Sequence, residues 1–188
     1  ADLHSGDGAR PGDPEDRAAA PVVKVVDLAW LEFEKPNIAQ AERFAHDFGF
    51  TTVSRTADQL SLRGTWSGAP CVLIRRSHRS KFIGPTFRAA GKDDLLRLSR
   101  ETGRRVYPLG DLGGAAIDLT DPSGMAIRVV AGLTDLPSLP DQDSLTFNFG
   151  GKVERVNAVQ RPPREPARVQ RLGHVVIETP RFRENLAW

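Results

Sequence analysis

The chain writes the opening of one structural unit three times, and that repetition constrains its fold more than any other feature. Displaced by 54 positions, Leu28-Ala-Trp-Leu-Glu-Phe33 falls on Phe82-Ile-Gly-Pro-Thr-Phe87, Arg43 on Arg97, and Gly49 on Gly103. Displaced by 144 positions, Leu28-Ala-Trp30-Leu-Glu-Phe-Glu-Lys-Pro36 falls on Leu172-Gly-His174-Val-Val-Ile-Glu-Thr-Pro180. In the third copy a histidine, His174, stands where the first copy has Trp30 and the second has Gly84.

The first unit reads as β-α-β-β-β. Residues 24–34 form a β-branched, apolar run with Leu31 and Phe33 on one face and Trp30, Glu32 and Glu34 on the other, the alternation of a strand. Pro36-Asn37 stops it and offers a helix start. Ile38, Ala41, Phe44, Ala45 and Phe48 then recur at helical spacing, with Gly49 as the C-cap. Short strands are expected at 50–55, 59–63 and 70–75. The second unit repeats the order: strand 81–89, helix 93–102 with Leu95, Leu96 and Leu98 inward, Gly103, and strands 105–108, 115–119 and 125–130. The turn Asp121-Pro-Ser-Gly124 before its last strand has proline and glycine where a tight turn uses them. Its counterpart in the first unit is Thr65-Trp-Ser67-Gly68.

Outside these units the chain changes character. Residues 1–20 are Gly, Pro, Asp, Arg and Ala with almost nothing to bury, which predicts a disordered leader. Residues 21–132 hold the two complete units. Residues 133–168 are proline-rich and read as an interdomain linker, with a hairpin turn expected at Asn148-Phe-Gly-Gly. Residues 169–188 read as the first strand (Val169 to Glu178) and the helix start of a third unit. A strand and half a helix cannot bury their own apolar faces, so the sequence is read as a fragment of a longer protein.

Hydrophobic residues make up 39% and charged residues 27%, the balance of a water-soluble globular chain. No run has the length of a membrane span, and no apolar stretch near the start resembles a signal peptide. Cys71 is the single cysteine, so no intrachain disulfide forms, and its apolar surroundings predict a buried structural thiol. Together these point to the cytoplasm and away from a membrane partner. The net charge of +2 is spread along the chain, and the densest basic stretch, 161–171, is broken by prolines and carries no aromatic. That is a solvated linker rather than a nucleic-acid surface.

The paired units, the Asp121-Pro-Ser-Gly124 turn and the passage from Arg155-Val-Asn157 to Arg171-Leu-Gly-His174-Val-Val resemble the vicinal oxygen chelate superfamily, of α+β class. Within it the chain looks most like the N-terminal portion of the two-domain, type I extradiol ring-cleaving dioxygenases, from about residue 22 to the end. The resemblance implies a metal held by two histidines and a glutamate, of which only the first position exists here, filled by His174. It implies Fe2+, with Mn2+ as the alternative, in the full-length protein. It also implies a small catechol-like aromatic and O2 as substrates, and a homo-oligomer. By the repeat spacing, the remaining ligands belong at about positions 228 and 272. The corresponding places in the first two units hold Trp30, Gly84 and Arg128, none of which ligates a cation, so residues 21–132 are expected to be metal-free.

Other readings stand beside this one. A glyoxalase-like lyase or isomerase of the same superfamily would use more glutamate in its ligand set, and a bleomycin-resistance-like module would bind without catalysis. A pure interaction protein is the remaining alternative. His174 could be a hydrogen-bonded core histidine, while His46 and His78 read as exposed and incidental, and His4 lies in the leader. Glu32 and Glu34 could face a vestigial cleft, where Arg128 would pair with one of them, or simply a solvated strand edge.

Overall fold

The computed structural model describes residues 11–12, 17–18, 20–157 and 164–188. Most of the expected leader, and residues 158–163 of the linker, lie outside the described residues.

The alternation read from the sequence becomes β1 (Val25–Lys35), which runs through the centre of one eight-stranded sheet. Asn37 caps α1 (Ile38–Phe48): its Oδ1 accepts the Gln40 N–H at 3.0 Å. Gly49 ends the helix at φ 107°, a left-handed conformation that glycine adopts without a Cβ clash. β2 (Thr51–Arg55), β3 (Gln59–Arg63) and β4 (Val72–Arg76) complete the first unit. The second contains β5 (Lys81–Ala89), α2 (Lys92–Thr102), β6 (Val106–Pro108), β7 (Ala115–Thr120) and β8 (Ala126–Ala131). A 3-10 turn at Gly110–Leu112, which the repeat did not announce, separates β6 from β7.

The strand order β2-β3-β4-β1-β5-β8-β7-β6 is two copies of one arrangement meeting at a seam. In each copy the opening strand lies parallel to the closing one, β1 to β4 and β5 to β8, and β1 and β5 then pair antiparallel. The seam register sets Trp30 against Thr86 and Glu32 against Gly84. Both helices cover one face. Leu95 and Leu98 of α2 bury against Ile117, Leu119, Ile127 and Val129, and Ile38 and Ala45 of α1 against Leu60, Leu62, Val72 and Ile74. The opposite face has its own small core of Trp30, Ala116 and Val130. Burial of these side chains supplies the main driving force, about 1.5–3 kcal/mol for each large one.

Several expectations are corrected. Phe44 and Phe48 are not core residues: they are 69% and 59% exposed, because α1 meets the sheet through Ile38, Ala41 and Ala45. Leu96 is likewise exposed, since it turns away from the stripe made by Leu95 and Leu98. Residues 169–178 form no strand: the segment has no ladder partner among the described residues, and extended chain becomes a strand only by pairing. The helix beyond it is present as α3 (Phe182–Ala187). Thr65–Gly68 is not a copy of the Asp121–Gly124 turn. In the latter the Gly124 N–H reaches the Asp121 carbonyl at 2.9 Å, whereas Gly68 pairs across the molecule with Leu136. The hairpin turn at Asn148–Gly151 is found, closed by the bridge from Phe149 to Lys152.

The basic stretch is engaged rather than solvated at its described end. The Val169 N–H donates to Gly49 O at 3.0 Å, and Val169 O and Gln170 O accept the Thr65 and Trp66 N–H groups at 2.8 and 3.0 Å. The Arg171 guanidinium lies 5.8 Å from the Trp66 ring centre and 3.5 Å from Asp27. A Cβ on Gly64 would stand 2.2 Å from Gln170 O, so only glycine admits this strap. Asp141 ties the first half of the linker to it, accepting from Thr65 at 3.0 Å and Gln170 at 2.9 Å. Cys71 is buried as expected, and burial pushes its thiol pKa up.

Candidate functional site

The helix-free face of the sheet is where Trp30, Glu32, Gly84 and Arg128 come together, each placed there by strand alternation. Trp30 is fully buried, and its indole Nε1 donates to Glu32 Oε1 at 3.0 Å. The same carboxylate accepts from Arg128 Nη1 in an ion pair. Arg128 Nε donates to Asp118 Oδ1 at 2.7 Å, and the Tyr107 hydroxyl donates to Asp118 Oδ2 at 2.8 Å. One guanidinium therefore sits between two carboxylates, with an indole and a phenol closing the two ends.

Arg128 belongs to β8 and Glu32 to β1, and β5 runs between them. On β5, Gly84 stands opposite Glu32. Glycine is required there: a Cβ would stand 1.9 Å from the Ala126 carbonyl oxygen. Thr86, opposite Trp30 and Arg128, is 1% exposed, and its Oγ1 has no hydrogen-bond partner among the described residues.

The electrostatics follow from this arrangement. Burial works against the Arg128 charge, but the hydrogen bond it donates to Asp118 and the fields of Glu32 and Asp118 outweigh it and hold the guanidinium pKa above its ordinary value. Burial first, and the hydrogen bond to Asp118 second, push the Tyr107 phenol up to about 12.

These residues do not fit a metal ion. Both carboxylates are already paired with one permanent cation, and the other two positions offer an indole and no side chain. Of the readings left open for Glu32, the pairing with Arg128 is found, and Glu32 is buried rather than on a solvated edge. Glu34, on the same face, makes no ion pair with Arg128. Tyr107 and Asp118 were not singled out from the sequence. Asp118 was detectable as a lone carboxylate between the apolar Ile117 and Leu119 on β7.

His174 lies elsewhere. It is exposed and lines an open groove of about 410 Å³ with Val25, Val26, Phe87, Val175 and Ile177, beside the first half of β1. The described residues contain no group of three or more His, Cys, Asp and Glu side chains able to hold a metal ion. His46 is exposed but held: its Nε2 lies 2.8 Å from Thr52 Oγ1. His78 is exposed. No helix among the described residues is long and apolar enough to cross a membrane.

By sequence, the chain matches no protein-family model and no curated protein. By structure it is similar to the Mn(II)-bound glyoxalase from Novosphingobium aromaticivorans, with a TM-score of 0.54 at 17% identity, over 64% of this chain and 43% of that one. It is similar to homoprotocatechuate 2,3-dioxygenase from Brevibacterium fuscum in complex with 3,4-dihydroxyphenylacetate, with a TM-score of 0.54 at 18% identity, over 67% and 41%. It is also similar to the 2,3-dioxygenase LapB from Pseudomonas sp. KL28, with a TM-score of 0.55 at 17% identity, over 62% and 44%. The chain thus spans less than half the length of these solved chains. Its two β-α-β-β-β units, joined through β1 and β5, have the vicinal oxygen chelate fold, the α+β fold of these glyoxalase and dioxygenase structures.

Proposed function

We propose that this chain is the metal-free N-terminal part of an extradiol dioxygenase, a longer protein that opens a catechol-like ring with O2 at a divalent metal. The observation that carries the proposal is the Arg128–Glu32 pair, which occupies the face where the resemblance would put a metal and so leaves the chemistry to another pair of units. The passage ending in Gly173-His174, and the likeness to two 2,3-dioxygenases, support the ring-opening reading. In that reading His174 is a metal ligand of the catalytic units, Fe2+ is the metal and Mn2+ the alternative. The contribution of residues 21–132 is to hold the strap bearing His174 in place. The likeness to an Mn(II)-bound glyoxalase favours, as the second reading, a metal-dependent lyase or isomerase.

The test uses the longer protein. A histidine at about position 228 and a glutamate at about position 272 are expected from the repeat spacing. His174→Ala is expected to remove the bound metal and the ring-fission product, whereas Arg128→Ala leaves metal content unchanged. Glutamate at both positions would move the protein to the lyase or isomerase reading. Metal retained in His174→Ala would remove His174 from the ligand set.

A further inference from the structure

On the helix side of the sheet the two units differ in how the helix meets the strands, and the difference is a cavity. The helices correspond residue for residue at the 54-position offset: Asn37 and Gly91 are N-caps, and Gly49 and Gly103 are C-caps. In α2 the offset position is Leu95, fully buried and plugged into the sheet. In α1 it is Ala41. Next along, buried Leu98 corresponds to Phe44, which is turned outward. The space that Leu95 fills in the second unit is therefore empty in the first. It opens into a groove of about 660 Å³ floored by Phe33, Leu62 and Ile74, walled by Ala41, and rimmed by Phe44 and Phe48.

The groove is two-ended. Its body is apolar, and the rings of Phe44, Phe48 and Phe50 stack along its rim with centres 6.1 and 5.9 Å apart. One end carries Lys35, Asn37, Gln40 and Ser80. Lys35 is the only charged lining residue, and it makes no ion pair among the described residues. No carboxylate lines the groove. A cavity of several hundred Å³, apolar in its body with a few polar groups at one end, is the usual form of a small-molecule site.

We propose that this groove binds a small amphiphile with an apolar body and an anionic head, the body under α1 and the head at Lys35. The charge arrangement selects that occupant: a lone cation at an apolar mouth attracts an anion and gives a neutral ligand no advantage. The site is on the face opposite Glu32 and Arg128 and is independent of the ring-opening reading.

The test is calorimetric titration of the chain with decanoate, below its micelle concentration, and with decanol as the uncharged control. One decanoate per chain is expected, with a rise in Tm. Ala41→Leu, which installs the plug of the second unit, should weaken decanoate binding at least about tenfold without lowering the ligand-free Tm. Lys35→Gln should weaken decanoate about tenfold and leave decanol unchanged. Because it alters a side chain at the mouth, it keeps the test decisive should Ala41→Leu fail to fold. Absence of binding, equal loss of both ligands in Lys35→Gln, or unchanged binding in a folded Ala41→Leu would each overturn the proposal. So would a concentration-dependent dimer, seen by sedimentation, that excludes decanoate, since the occupant would then be a second copy.

Discussion

Arg128 on β8 reaches over the whole width of β5 to form an ion pair with Glu32 on β1, and the strand it crosses carries glycine at position 84. Two positions of the repeat thus act together: the Arg128 cation crosses β5, and Trp30 holds the receiving carboxylate with its indole N–H.

Removing one partner leaves the other charge desolvated. Arg128→Ala is expected to lower unfolding free energy by about 3 kcal/mol, since Glu32 would stay buried with only the Trp30 indole to stabilise it. Replacing both partners, as Glu32→Leu with Arg128→Met, is expected to recover most of that loss. Guanidinium unfolding of the single and double variants checks this. A loss below about 0.5 kcal/mol in Arg128→Ala would show that the pair is no more than a surface bridge.

Tyr107 is the only tyrosine of the chain, so tyrosinate absorbance on alkaline titration reports it alone. The expected midpoint is about 12, against about 10 for a free tyrosine. The folded chain keeps a proton that the unfolded chain releases. The resulting stability is therefore complete below about pH 10 and lost as pH rises through about 12. Asp118→Asn should lower the midpoint but not to its ordinary value, because burial is the larger cause. A midpoint at about 10 in the unmodified chain would contradict the Tyr107–Asp118 contact.

Asp121 works in the opposite direction. Burial disfavours its charge. The Ser123 hydroxyl, the Met125 N–H and the Asn185 side-chain amide outweigh that and bring its pKa below the usual carboxylate range. Its contribution is present above about pH 4 and lost as pH falls through the lowered value. Asp121→Ala should cost about 1–3 kcal/mol at neutral pH and flatten the acid limb of the stability profile. An unchanged acid limb would remove Asp121 from the account.

Gly64→Ala tests the strap. The new Cβ would meet the Gln170 carbonyl, so the contacts of Val169 and Gln170 with Thr65 and Trp66 should be lost. Limited trypsin digestion is expected to cut after Arg168 and Arg171 faster in the variant. Equal cutting rates would show that the strap is not held there.

Duplication made the two units legible. Glycines at 49 and 103, the helices before them and the alternation in β1 and β5 are all local signals. What failed depends on contacts that the local pattern does not encode. Phe44 and Phe48 have the right helical spacing, but spacing gives a face and not its cover, and α1 meets the sheet through Ile38, Ala41 and Ala45 instead. Residues 169–178 have a strand's composition but, among the described residues, no strand ladder, and only Val169 and Gln170 make backbone hydrogen bonds to the first unit. Arg171 was read as solvated because its aromatic neighbour, Trp66, is distant in sequence. Of the candidate site, the Arg128–Glu32 pair was expressible from the repeat alignment, while Tyr107 and Asp118 had no counterpart in the first unit to draw attention to them.

Metal titration of the purified 188-residue chain tests the central claim most directly, with Fe2+ under anaerobic conditions and Mn2+ in parallel, followed by catechol and O2. The account predicts no stoichiometric metal binding, no yellow ring-fission product, and no change on substituting Glu32. One tightly bound metal per chain, lost in Glu32→Gln, together with ring fission, would contradict it and make the helix-free face of these two units a catalytic centre.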